Sequence, residues 1–184
     1  MGVSPRTLLV GAFGHHRETK RLPTLIRAFD RAVRAGAAAR LLISGEFVSP
    51  GHARAVEAML GPAVLRTGYL REPEFWRYAA AADLCVNLRY PSAAESSGMA
   101  IRMMGIGKAV AFTNDAAIAR YPENSCLRVD AGPAEEEMLA GFITWLSREP
   151  EAAQAIGRNA AAHIAAAHNP ERVAAAYWEV LKIS

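Results

Sequence analysis

Three short stretches of this sequence carry residue types that do chemistry, and each suits a different kind of atom group. The first is GAFGHHRETKR, Gly11 to Arg21, where two glycines, two histidines and the cations Arg17, Lys20 and Arg21 stand together. Flexible backbone and positive charge in one loop hold an anion through amides and charge-assisted hydrogen bonds, and phosphate is the anion that fits; a solvated basic loop has the same composition. The second is PSAAESSG, Pro91 to Gly98, ahead of an apolar helical stretch. A helix starting around Ser96 to Gly98 offers unpaired N–H groups, and side chains this small let a diphosphate approach the backbone. Glu95 just before it cannot also bind phosphate, so its carboxylate faces hydroxyls, such as those of a sugar; the other reading is that Glu95 or Ser96 caps the helix, a role worth about 1 kcal/mol. The third is TGYLREPE, in which Gly68, Tyr69 and Leu70 close a strand before a helix. Exposed amides flanked by apolar surface receive a flat base, although Tyr69 packed on its neighbours in an ordinary loop reads equally well.

A metal fits none of these. His15 and His16 are adjacent, so their side chains diverge, and no His, Cys, Asp or Glu lies at ligand spacing around them. We expect no metal and no cofactor.

The elements that must position the three stretches alternate. RTLLVGAF is a buried strand running into the glycine-rich loop, and LPTLIRAFDRAVRAG is a helix with Leu22, Leu25, Ile26, Phe29 and Val33 on one face and Gly36 beyond its end. ARLLISGE, AVLRTGY, DLCVNLR, KAVAFTN and CLRVD repeat the strand signal; GHARAVEAML, EPEFWRYAAAA, the stretch from near Ser97 and a short piece at DAAIARY repeat the helix signal. Strand–helix units with near-continuous apolar strands predict an α/β fold, a doubly wound parallel sheet covered on both faces. In such sheets ligands collect at the carboxyl ends of strands, which is where all three stretches fall. After Asp130 come three helix patterns in a row, punctuated by Pro133, Pro150 and Pro170, expected to pack on the sheet or on each other.

The chain has 184 residues, enough for one domain with a real core, and we read residues 1–184 as that single domain. Hydrophobic residues make up 52% and charged ones 21%, which argues against disorder, and a net charge of +3 with scattered arginines argues against nucleic-acid binding. Cys85 and Cys126 each lie in an apolar run and are expected to be free, buried thiols. No apolar stretch approaches the ~18 residues of a spanning helix, and MGVSPRTLLV lacks a signal-peptide layout, so a cytoplasmic location is expected.

In this order, the three stretches resemble the donor-binding C-terminal half of the GT-B glycosyltransferases, in particular glycosyltransferase family 4. The matching text is FGHHRETKRLPTLIRAF, RLLISGE, the run from VLRTGYLREPEFW through RYPSAAESSGMAIRMMGIGKAVAFT, and GRNAAAHIAAAHNPERVAAAYWEVL. The resemblance implies one of two Rossmann-like domains, the one that binds a nucleotide sugar, from an enzyme that transfers the sugar with retention, without a metal and without an enzyme nucleophile, so that no catalytic residue is assigned. It implies that Lys20 contacts the diphosphate with help from Arg17 or Arg21, that Gly14 and His15 of the same loop also belong to the donor-binding residues, that Ser96 and the amides of Ser97 and Gly98 complete the cradle, that Glu95 grips sugar hydroxyls, and that Gly68, Tyr69 and Leu70 meet the base. It further implies a missing N-terminal acceptor-binding domain as partner, and for the parent enzyme a possible peripheral seat at the inner membrane face.

The sequence departs from the family's pattern at defined points. The second acid of Glu-x7-Glu, assigned to the ribose hydroxyls, is absent, with Arg102 and Met103 in its place; His15 stands where an arginine is common; and Glu-Ser-Ser-Gly replaces Glu-Gly-Phe-Gly. What holds the ribose is thereby left open. Two other readings stay beside the enzyme: a non-catalytic GT-B-like module used for protein interaction, and a GT-B-like sugar-nucleotide epimerase.

Overall fold

A computed structural model describes residues 7–92 and 96–182. Six parallel strands form one sheet: β1 (Leu8–Phe13), β2 (Ala39–Ser44), β3 (Val64–Gly68), β4 (Leu84–Asn87), β5 (Ala109–Thr113) and β6 (Leu127–Val129). Their order across the sheet is β3-β2-β1-β4-β5-β6. That order reverses between β1 and β4, so the chain winds away from the centre in both directions and leaves a crevice beyond the carboxyl ends of those two strands. Below the crevice the pair is stitched by Leu9, whose N–H donates to Asp83 Oδ2 at 2.8 Å, and by Asp83 N–H donating to the Leu9 carbonyl at 2.9 Å.

The described residues also form the helices α1 (Leu22–Arg34), α2 (Pro50–Glu57), α3 (Glu72–Ala81), α4 (Gly98–Gly105), α5 (Glu135–Arg148), α6 (Pro150–Ala167) and α7 (Pro170–Lys182), with short 3₁₀ turns at Glu18–Lys20, Ala116–Ile118 and Glu123–Ser125. Alternation along β1 separates two cores. Leu8, Val10 and Ala12 meet Leu22, Leu25, Ile26 and Phe29 of α1, Val56 of α2 and Leu139 and Ile143 of α5. Leu9 and Phe13 meet Ala79 of α3, Met103 and Met104 of α4 and Ala160 of α6. Because both faces are covered, the central strands are buried at almost every position, which is why they read as continuous apolar runs. Cys85 and Cys126 are buried free thiols within the second core.

Helix α6 approaches the turn after α4 closely at Gly157: a Cβ there would lie 2.0 Å from the carbonyl oxygen of Gly107. The expectation that all three closing helices pack on the sheet or on each other holds for α5 and α6, which bury Leu139, Ile143, Leu146, Ala153 and Ala160. It fails for α7, where every residue from Glu171 to Lys182 is exposed. The apolar repeat of that helix has no surface within the described residues to cover it.

Candidate functional site

The crevice is built by the loops that follow β1 and β4, joined by the Tyr90 N–H, which donates to the Thr19 carbonyl at 2.9 Å. After β1 the chain makes the 3₁₀ turn Glu18–Lys20 and places Arg21 in the left-handed region (φ 52°) at the start of α1. This turn folds Lys20 back over the end of β1, where its Nζ donates to the Phe13 carbonyl at 3.0 Å. Burial is the main force lowering the Lys20 pKa from the ordinary lysine value, and the nearby guanidinium groups of Arg89 and Arg17 lower it further. Positive charge is therefore concentrated at the switch point of the sheet, in a position where an approaching anion is attracted and relieves the mutual repulsion.

The other wall is the first turn of α4. Ser97 is its N-cap, extended in backbone, with Oγ accepting from the Ala100 N–H at 3.3 Å. The cap is thus Ser97, whereas the capping alternative read from sequence placed it at Glu95 or Ser96. Next to it, nothing lies within 4 Å of where a Cβ on Gly98 would stand, so the backbone there is open to a ligand. Glu95 lies outside the described residues.

Two cavities share this crevice. One, of ≈ 310 Å³, is lined by Gly14, His15, Arg17, Thr19, Lys20 and Met99 among others. The second, of ≈ 270 Å³, is lined by Glu46, Tyr69, Leu70, Phe75 and Arg102 together with Gly14, His15 and Met99, which belong to both. A charged chamber thus runs into one with an apolar, aromatic end, the layout of a small-molecule site whose polar groups fix orientation. The joint is fixed tightly. A Cβ on Gly45 would sit 2.0 Å from the Gly14 carbonyl oxygen, the Gly14 N–H donates to the Ser44 carbonyl at 3.0 Å, and the Gly45 N–H donates to the Gly68 carbonyl at 2.7 Å. The ends of β1, β2 and β3 are thereby laced together.

His16 is part of this lacing. It is fully buried, its Nε2 lies 3.1 Å from the Ser44 carbonyl, and its backbone pairs with the segment around Phe47. Burial, then the charge of Lys20, lowers its pKa to about 4, so the ring is neutral and structural. His15, by contrast, is exposed and lines both cavities.

Of the residues singled out in the sequence, the structure gathers Gly14, His15, Arg17, Lys20, Tyr69 and Leu70 around the two cavities, with Gly68 at the loop behind Tyr69. Ser96 and Ser97 line a separate small hollow behind the α4 N-terminus with Asn87 and Thr113. Arg21 is engaged elsewhere: its guanidinium makes a two-pronged pair with Glu135, which is 1% exposed, and it lies 5.6 Å from the Tyr90 ring. Thr19, Glu46, Phe75, Arg89, Met99 and Arg102 line the cavities without having been singled out as ligands. For Glu46 a signal was present, an acid just past the glycine that ends the second strand. Among the described residues no group of three or more His, Cys, Asp or Glu is placed to hold a metal ion, and no helix is long and apolar enough to cross a membrane.

A six-stranded 3-2-1-4-5-6 sheet with its loops converging at the β1/β4 switch point defines a Rossmann-like architecture. Residues 4–149 match the family model for glycosyl transferases group 1, and the chain belongs to that family. The fold is shared with Anabaena Alr3699/HepE, solved in complex with UDP-glucose (TM-score 0.82, 17% identity, covering 97% of this chain and 49% of that one). It is shared equally with sucrose-phosphate synthase from Thermosynechococcus elongatus (TM-score 0.80, 23% identity, 98% and 47%). The C-terminal domain of LpcC, a glycosyl transferase group 1 family protein from Francisella tularensis, matches over 89% of this chain and 87% of its own (TM-score 0.75, 18% identity). The chain therefore spans about half the length of the HepE and sucrose-phosphate synthase chains and most of the isolated LpcC C-terminal domain. These neighbours are GT-B glycosyltransferases, and the sheet is the Rossmann-like unit of that architecture. No curated protein matches the sequence.

Proposed function

We propose that this chain is the nucleotide-sugar-binding half of a glycosyltransferase that moves a sugar from a nucleoside diphosphate to an acceptor, with retention and without a metal. The observation that carries the reading is Lys20, held against the end of β1 in the cavity that also takes in Arg17 and the first turn of α4. In this reading the diphosphate lies between Lys20, Arg17 and the open amides at Ser97 and Gly98; Glu95 takes the sugar hydroxyls; and the base rests by Gly68, Tyr69 and Leu70. Cleavage of the sugar–phosphate bond leaves an additional negative charge on the diphosphate, and cationic groups already fixed around it stabilise that charge without reorganising. No side chain of this chain is assigned as nucleophile or base.

The neighbours' greater length supports a second domain as partner, one that binds the acceptor and closes the cleft. We assign to it the exposed face of α7, where Tyr177, Trp178, Val180 and Leu181 are all more than 60% exposed. A cytoplasmic location belongs to the same proposal. The test is a thermal-shift panel of UDP, GDP and ADP and their sugars in excess chelator. One nucleotide and its sugar should raise the melting temperature; a panel with no response, or one that responds only after magnesium or manganese is restored, would overturn the reading.

A further inference from the structure

Two charged residues in the second cavity, Glu46 and Arg102, have no task in the reading above. Glu46 follows Gly45, the residue packed hardest on Gly14, and Arg102 stands one turn along α4 from Met99. Gly14 and Met99 are, with His15, the residues common to both cavities. Glu46 and Arg102 line the second cavity with Tyr69, Leu70 and Phe75, and each is close in the chain to a residue that this cavity shares with the cationic chamber or that packs on one. In a nucleoside diphosphate the group between phosphate and base is the ribose. Both side chains are exposed, while Met103, next to Arg102, is fully buried in the second core. The Glu46 backbone is fixed even though its side chain is exposed: its carbonyl accepts from the His16 N–H at 2.7 Å, and the adjoining Phe47 ring packs tilted against His16, edge-to-face with His52 and under Arg66.

We propose that Glu46 and Arg102 together recognise the ribose, Glu46 accepting from the 2′ and 3′ hydroxyls and Arg102 donating to their oxygens. A carboxylate presents two acceptors to the two donors of a cis-diol, and a carboxylate at the end of the second strand is well placed for a ribose bound over the first strand-to-helix turn. A carboxylate this close to a diphosphate would repel it, and a guanidinium lining the same cavity offsets that repulsion. The acid that grips the ribose is thus supplied by the β2 loop, and α4 supplies a cation in its place.

The inference rests on the donor-site reading, and its test separates the two. Binding of UDP, GDP and ADP, of their 2′-deoxy forms and of inorganic pyrophosphate is measured by calorimetry on the parent, Glu46→Gln and Arg102→Met. The nucleotide that binds the parent should lose about tenfold in affinity in its 2′-deoxy form. Glu46→Gln should reduce that preference to less than about threefold while binding pyrophosphate at least as tightly as the parent, and Arg102→Met should weaken the ribonucleotide. Equal parent affinity for ribo- and deoxy-forms, or a preference that survives Glu46→Gln, would overturn the ribose assignment and leave the donor site standing. Absence of any nucleotide binding by the parent would overturn both.

Discussion

Lys20 and His16 stand four residues apart, are both drawn out of water, and respond to burial in different ways. Lys20 keeps a hydrogen bond to the Phe13 carbonyl and faces a cavity. Replacing it with Ala removes a charge-assisted contact to a bound diphosphate worth about 1.5–3 kcal/mol, roughly a ten- to hundredfold loss of affinity, and no core packing. Pyrophosphate titrations at low salt measure this, and equal affinity in Lys20→Ala and parent would remove Lys20 from the site. His16 lines neither of the two cavities, and its role is in the fold. Its folded pKa of about 4 lies below the ordinary 6.5, through burial and through the nearby charges of Lys20, His52 and Arg66. Protonation is therefore easier in the unfolded chain: the His16 contribution to stability is complete above about pH 6.5 and is lost between there and about pH 4, by roughly 3 kcal/mol in total. Urea titrations across that range should show the decline, and His16→Phe should flatten it, at a cost of about 1 kcal/mol at neutral pH for the lost hydrogen bond to the Ser44 carbonyl, which keeps the Gly14 N–H as a donor. A parent curve that is level between pH 6.5 and 4 would contradict the assignment.

At the scale of elements, the alternation of strands and helices and the location of the ligand loops were legible because both follow from local pattern. The periodicity of LPTLIRAFDRAVR gives α1, the apolar runs give the buried strands, and any loop after a parallel strand of such a sheet opens on its carboxyl edge. Pairings fixed by packing over long distances were not legible. The cation Arg21 reads as a phosphate ligand because it adjoins Lys20, yet it pairs with Glu135, 114 residues away, beside the further pairs Arg27–Glu136 at 2.8 Å and Arg31–Glu137 at 3.3 Å that bind α1 to α5. Glu135 is 1% exposed and Arg21 29%, so the acid depends on its partner more than the base does. Arg21→Ala strands a buried carboxylate and should cost about 3 kcal/mol, the low end of the range for breaking a buried pair. Arg21→Leu with Glu135→Leu should recover most of that loss, since the double replacement removes the desolvated charge as well as its partner. Chemical denaturation of the parent and the two variants decides it; a double variant no more stable than Arg21→Ala would show that the pair contributes net stability and not merely mutual neutralisation.

Over the whole molecule, burial is divided unevenly. The two cores claim the faces of α1, α3, α4, α5 and α6, with Ile143, Leu139, Met103 and Met104 fully enclosed, while Tyr177, Trp178, Val180 and Leu181 of α7 stay in solvent. The sequence could not distinguish these cases, because the apolar pattern of α7 says that the helix has a face to bury and not which surface covers it. The physical consequence is a sharp contrast between substitutions that look alike on paper. Ile143→Ala opens a cavity in a closed core and should cost 2–5 kcal/mol, within the usual range for such truncations (about 2–5). Tyr177→Gln with Trp178→Gln removes far more apolar surface, yet it should change the stability of this chain by less than about 0.5 kcal/mol, because that surface is already in water in the folded state. If the α7 face is the seat of the second domain, the same double variant joined to that domain should weaken the contact between the halves, with a loss that grows with the apolar area it covers. Denaturation of the chain alone, followed by the same comparison in the two-domain protein, reads both steps. A large loss of stability in the chain alone would mean that α7 packs on its own domain, and the surface assigned to the partner would no longer be available to it.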